Sequence, residues 1–225
     1  MASKIEISVL IAAYNQEKYI GRCLRSLFNQ SIDFEKFEIN LVNDGSTDRT
    51  LYGVELFCDP KDSKINIINN KKNLGLPSSI NKAINISKGK YLVRIDADDW
   101  VSKDFLKLLY AFQVNNDYMD AVACDYNLVD NNEKVIERKN CFSDPIACGI
   151  MFQKKHLMEI GLYDESFHCH EERDLRIRFE KKFKIHRLEL PLYRYRKHEK
   201  NMTNNKKVLE EYNNKLIDKY GTSIF

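Results

Sequence analysis

The residues best suited to chemistry in this chain gather in three polar clusters. Asp96, Asp98 and Asp99 fall within four consecutive positions of the segment Asp96-Ala97-Asp98-Asp99-Trp100. Carboxylates this crowded repel one another unless a cation sits among them. Hard divalent ions such as Mg2+ and Mn2+ prefer oxygen ligands and commonly bridge one or two carboxylates to a diphosphate. The alternative is an acidic, solvated turn. The cluster's place directly after an apolar segment favours the metal. A second cluster, Asn43-Asp44-Gly45-Ser46-Thr47-Asp48, contains a glycine that permits a tight turn. Asp44 there can accept a hydrogen bond from a base or a ribose, although alone the segment reads as a capped strand–turn–helix junction. The third cluster, His170-Glu171-Glu172-Arg173-Asp174, opens a helix, where the macrodipole favours acids in any case. His168-Cys169-His170 lacks a fourth soft ligand at zinc spacing.

The elements that must position these clusters follow from the apolar pattern. Glu6 to Ala13 is a near-continuous apolar run, as in a strand buried on both faces. A helix follows from about Glu17, with Ile20, Cys23, Leu24, Leu27 and Phe28 on one face. Strands are predicted over Phe37–Val42, Lys64–Ile68 and Tyr91–Ile95. Helices are predicted over Thr47–Phe57, capped by Ser46 or Thr47, and over Pro77–Ser87, with Pro in its first turn and Gly89 as its stop. This alternation of strand and helix argues a parallel sheet with helices on both faces. Later come a helix over Ser102–Phe112 capped by Ser102, strands within Met119–Val129 and Ala147–Gln153, a helix over Glu171–Lys182, and a polar helix over Lys206–Tyr220. In open α/β sheets ligands gather at the carboxyl ends of the strands, where the first two clusters fall.

Composition bounds the function. The chain has 225 residues, 43% hydrophobic and 31% charged, which suits one globular domain or one with a small appended lobe. A net charge of +3, from 36 basic and 33 acidic residues, is too balanced to argue nucleic-acid binding. No run approaches the roughly 18–20 apolar residues of a membrane span, and no basic stretch precedes an apolar one as in a signal peptide. A cytoplasmic protein is expected, with Arg194–Lys207 as a candidate peripheral contact with the inner face of the membrane. The six cysteines, with no CxxC pair, read as reduced and mostly buried thiols.

Five segments in order resemble the family 2 glycosyltransferases, inverting enzymes of GT-A fold. They are VLIAAYNQEKYIGRCLRSLFNQS (9–31), LVNDGSTDRT (41–50), NLGLPSSINKAINISKGKYLVRIDADD (73–99), IMFQKKHLMEIGLYDESFHCHEERDLRIRF (150–179) and YRYRKHEKNMT (193–203). The resemblance implies a Rossmann-like α/β domain with a mixed, mainly parallel sheet flanked by helices. It would span residues 1–203, with a nucleotide-sugar half (1–100), an acceptor half (101–203) and a helical tail (204–225). It implies a nucleotide-sugar donor bound by Ala13, Tyr14, Asn15, Glu17, Asp44, Asn73, Arg94, Asp96, Ala97 and Arg196. It implies a divalent metal, Mn2+ or Mg2+, held by Asp98 with Asp96, Asp99 and His198. Arg194 is a further residue that could reach the diphosphate or metal. UDP is the commonest donor nucleotide of the family, and the acceptor would be a glycan or a lipid-linked saccharide.

The chain departs from the family in two places. The first motif has Ala12 and Ala13 where proline is frequent, and the acceptor-side acidic pair is Glu171-Glu172 where Glu-Asp is common. Glu172 is therefore the candidate general base, with Glu171 as its neighbour and reserve and Asp174 next in line. A like-charged pair raises one carboxylate, which suits a base working near neutrality. A sugar-nucleotide pyrophosphorylase would want a glycine-rich phosphate loop where this chain has AAYNQEKYIG. A non-catalytic nucleotide-sugar sensor of the same fold would not need the acids at 96, 98 and 172.

Overall fold

The computed structural model describes residues 5–59, 64–199, 201 and 206–221. Its first half alternates β1 (Ile7–Ala13), α1 (Ile20–Phe28), β2 (Phe37–Asn43), α2 (Thr50–Glu55), β3 (Ile65–Asn69), α3 (Leu76–Ile86) and β4 (Tyr91–Arg94). The second half adds β5 (Trp100–Val101), α4 (Phe105–Val114), β6 (Ala121–Val129), β7 (Val135–Lys139), β8 (Ile150–Gln153), α5 (Lys154–Ile160), α6 (Glu171–Glu180), β9 (Ile185–Arg196) and α7 (Lys206–Tyr220).

One mixed sheet runs in the order β3-β2-β1-β4-β8-β6-β9-β5, with β7 on β6. The first four strands are parallel. β8 is antiparallel to both β4 and β6, and β9 returns parallel to β6. β1 lies inside the parallel part, which explains its unbroken apolar run. Ile7, Val9 and Ile11 join one core cluster with Leu24 of α1 and Phe105 of α4. Leu10 joins another with Ile80 and Ile84 of α3. Period-two alternation thus feeds both faces, each covered by helices.

Several local expectations shift. α2 begins at Thr50, and neither Ser46 nor Thr47 caps it; the Asp48 carboxylate accepts from the Thr50 amide at 2.9 Å. α4 begins at Phe105, without Ser102 as its cap. α3 ends at Ile86, before Gly89 can act as a stop. The reason for glycine at 89 is close approach: a Cβ there would lie 2.6 Å from the backbone of Ile7 and Ser8. The basic segment expected to open a closing loop at Tyr193 is instead the end of the long strand β9. Lys200 and residues 202–205 of that segment lie outside the described residues. α7 has the expected extent but is not polar all round. Its Leu216 packs on Phe167 and on Ile177 of α6, and its Lys219 and Tyr220 bond the buried carboxylate of Asp174.

All six cysteines are free, five of them buried. No helix among the described residues is long and apolar enough to cross a membrane.

Candidate active site

A cavity of about 800 Å³ opens at the carboxyl ends of β1, β2 and β4. Of the residues expected at a nucleotide sugar, Ala13, Tyr14, Asp44, Asn73, Arg94, Asp96 and Ala97 line it, together with Asp98, Asp99, Glu171 and Glu172. Residues 44 and 171 are brought to one space because β1 and β2 pair in parallel while α6 returns over the end of β4.

The end of the cavity expected to take the nucleotide is organised by the turn after β2. The buried Asp44 carboxylate accepts from Asn70 Nδ2 at 2.7 Å and from the amides of Leu74 at 2.9 Å and Gly75 at 3.0 Å. It thereby holds the 70–75 loop at the rim. Asn15 and Glu17 do not line the cavity. Asn15, in left-handed backbone, accepts from the Thr47 amide at 2.9 Å, and Glu17 accepts from the Arg49 amide at 2.9 Å. Both fasten the loop between β2 and α2. Gln16, between them, does line the cavity.

The three clustered aspartates divide into three environments. Asp96 takes two bonds from Arg94, Nε at 2.8 Å and Nη2 at 3.2 Å. Asp99 is buried; its oxygens accept from the Tyr193 hydroxyl and the Arg196 amide, both at 2.7 Å. Burial, reinforced by Asp98 and Asp96, pushes the Asp99 carboxyl well above its ordinary value. Asp98 faces the cavity with its side chain 17% exposed, and its Oδ2 stands 2.9 Å from His198 Nε2. All three line the cavity, but Asp96 is paired with Arg94 and Asp99 with the Tyr193 hydroxyl and the Arg196 amide, while Asp98 meets the imidazole of His198. Among the described residues no three His, Cys, Asp or Glu side chains gather as an ion site of their own.

The basic end of β9 does not act as expected either. Arg196 is buried and does not line the cavity. Its Nε donates to the Asp98 carbonyl at 3.0 Å, and its guanidinium lies over the Trp100 ring at 4.5 Å and the Tyr19 ring at 5.0 Å. Its place is behind the aspartate loop, which it braces. Arg194 lines a different cavity, beside Arg22 and Lys103. His198 is also buried and does not line the cavity, but it touches a residue that does: stacked on Tyr19 with ring centroids 5.0 Å apart, it meets the Asp98 carboxylate.

The two acids expected on the acceptor side, Glu171 and Glu172, are also unequal. Glu171 has a side chain only 5% exposed and accepts from Arg94 Nη1 at 2.8 Å. Burial, and next the charge of Glu172, push its carboxyl up to about 7. Glu172 is 27% exposed, with His170 Nδ1 3.8 Å away. Against the desolvation of the site, the nearby imidazole of His170, with backbone donors and Arg94, holds the Glu172 carboxyl below the usual range. The raised member of the pair is thus Glu171, fixed against Arg94, while Glu172 stays ionised and accessible. Asp174 is fully buried among Arg178, Lys219 and Tyr220, which removes it as a reserve base.

Residues 8–171 match the family model described as glycosyl transferase family 2. This chain belongs to that family. An uncharacterized glycosyltransferase of Haemophilus influenzae is 36% identical over 127 residues, which is 56% of this chain and 38% of that protein. The chain thus spans about a third of the length of the curated relatives it matches. The fold matches Staphylococcus aureus TarS (residues 1–349, in complex with UDP-GlcNAc) with a TM-score of 0.77 at 21% identity, covering 95% of this chain and 67% of that one. It matches the Pyrobaculum calidifontis mannosyltransferase PcManGT, in complex with GDP-Man and Mn2+, with a TM-score of 0.75 at 15% identity, covering 96% of this chain and 65% of that one. At these identities the likeness shows the GT-A architecture.

Residues missed from the sequence include His168, His170 and Tyr195, which line the cavity, and Leu209 of α7, which closes one edge. The histidine pair was visible only as an incomplete zinc pattern. Leu209 carries no chemical signal at all and reaches the cavity only because α7 docks on α6.

Proposed function

We propose that this glycosyltransferase-family chain moves a sugar from a nucleoside diphosphate donor, UDP favoured, onto a hydroxyl of a glycan or lipid-linked saccharide with inversion. The observation that carries the reading is that one cavity is lined by the ionised carboxylate of Glu172 and by Asp98, whose carboxylate meets the His198 imidazole at 2.9 Å.

Asp98 and His198 suit a divalent ion. Their facing oxygen and nitrogen are 2.9 Å apart, close to the roughly 3 Å between neighbouring ligands of an octahedral ion with bonds of about 2.1 Å. Two protein ligands leave the remaining positions to diphosphate oxygens and water, as Mg2+ and Mn2+ commonly have them. Bound there, such an ion supplies Lewis-acid stabilisation of charge on the leaving diphosphate.

The chain's own residues do the rest. Glu172 accepts the proton of the acceptor hydroxyl as its oxygen attacks the anomeric carbon, general-base chemistry that needs the ionised form. Arg94 ties Asp96 to Glu171, so the donor wall and the acceptor helix hold one relative position. Tyr14 and the 70–75 loop held by Asp44 bound the nucleotide end. A cytoplasmic location, near the membrane face where lipid-linked acceptors are displayed, completes the reading.

The test is turnover of nucleotide sugars by wild type and Asp98→Asn, with Mn2+ and with chelator. Wild type should turn over only with the ion, and the variant should lose both turnover and metal-dependent donor binding. Equal rates for the two proteins would remove Asp98 from the mechanism.

A further inference from the structure

A second cavity, of about 590 Å³, lies outside the active site, between α1, the segment after β5 and the end of β9. Four cationic side chains line it: Arg22 and Arg25 from α1, Lys103, and Arg194. Only Arg22 has a carboxylate partner, Glu133 at 2.9 Å. Arg25 and Lys103 have none among the described residues. Arg194 spends one nitrogen on the carbonyls of Pro191 and Tyr193 and meets no acid. Burial, together with the Arg22 charge, holds the Arg194 guanidinium below its ordinary value, so Arg194 faces a second cation with no acid of its own. Ser102 also lines the cavity, and its buried hydroxyl has no hydrogen-bond partner. Crowded like charges are costly. One kind of ligand relieves them: an anion with several acceptor oxygens.

We propose that this cavity is a binding site for a phosphate group, separate from the donor site. Guanidinium forks and an ammonium match phosphate oxygens in geometry and charge. The volume accommodates a phosphate together with the molecule that bears it, either a soluble phosphorylated compound or an anionic lipid headgroup. The site is joined to the catalytic loop through one ring. Trp100 lines the cavity, with Arg22 4.9 Å and Arg196 4.5 Å from its ring, and Arg196 braces Asp98.

Trp100 is the chain's one tryptophan, so its fluorescence reports on this cavity. Pyrophosphate would be titrated at fixed ionic strength into wild type, the double variant Arg25→Ala/Lys103→Ala, and Asp98→Asn. Separately, wild type and the double variant would be floated with vesicles of phosphatidylglycerol or of phosphatidylcholine alone. A saturable change in Trp100 emission is expected in wild type and in Asp98→Asn. In the double variant the affinity should fall by about tenfold or more, the order of one charge-assisted hydrogen bond. Circular dichroism and thermal melts would confirm that both variants are folded; should the double variant fail to fold, Arg25→Gln and Lys103→Gln singly take its place. Pyrophosphate binding without flotation assigns a soluble phosphorylated ligand, and flotation on phosphatidylglycerol alone, lost in the double variant, assigns a lipid headgroup. Either supports the site. A pyrophosphate response that disappears in Asp98→Asn but persists in the double variant belongs to the donor site and overturns the proposal, as does the absence of both binding and flotation.

Discussion

Glu171 offers a quantitative test of the site's electrostatics. Its carboxyl sits at about 7 in the folded chain against an ordinary 4.5, because burial and then the Glu172 charge outweigh the attraction of Arg94. A folded-state value above the unfolded one means that the folded chain retains a proton the unfolded chain has released. Stability should therefore fall as pH rises from about 4.5 to about 7, with the penalty absent below that window and full above it. The span from 4.5 to about 7 corresponds to roughly 3 kcal/mol at about 1.4 kcal/mol for each tenfold change in proton affinity. Glu171→Gln keeps the shape and an oxygen for Arg94 but cannot titrate. Arg94 in that variant still has its two bonds to Asp96. Urea unfolding of both proteins at pH 5, 6, 7 and 8 reads the Glu171 proton together with its coupling to Glu172, because every titrating group outside this pair is common to them. Relative to the variant, wild type should lose about 2–3 kcal/mol between pH 5 and pH 8. Parallel stability curves would refute the assignment of the raised carboxyl to Glu171.

The remaining tests address the base and the backbone. Glu172→Gln should cut turnover by about 10²–10⁴-fold while donor binding persists, as measured by steady-state kinetics beside calorimetry, and Glu172→Asp should keep part of the activity. An active Glu172→Gln beside an inactive Glu171→Gln would reverse their roles. Gly89→Ala should destabilise by about 1–3 kcal/mol in thermal or urea unfolding, since the new methyl meets β1 backbone at 2.6 Å. Gly161→Ala, with nothing within 4 Å and only a positive φ to oppose it, should cost about 1–2 kcal/mol; an equal or larger loss there would show that the contact at Gly89 yields easily.

Much of the sheet was legible in the sequence because the signals that make it are local. The unbroken apolar run of β1, the 3.6-residue face of α1 and the glycine turn after β2 each depend on residues close in sequence. The same locality put Asp44 and the aspartate cluster at strand ends, and so in one cavity. What was not legible is how those acids divide their work. Arg94 meets Glu171 across 77 positions, and His198 meets Asp98 across 100. Arg196 read as a donor contact until β9 carried it behind the loop it braces, and Asp174 read as a spare base until α7 covered it. Residue type shows which side chains can ionise or ligate. Which of them stays charged, faces the cavity or is spent on a partner depends on burial and long-range pairing, and those arise only when distant strands and helices pack together.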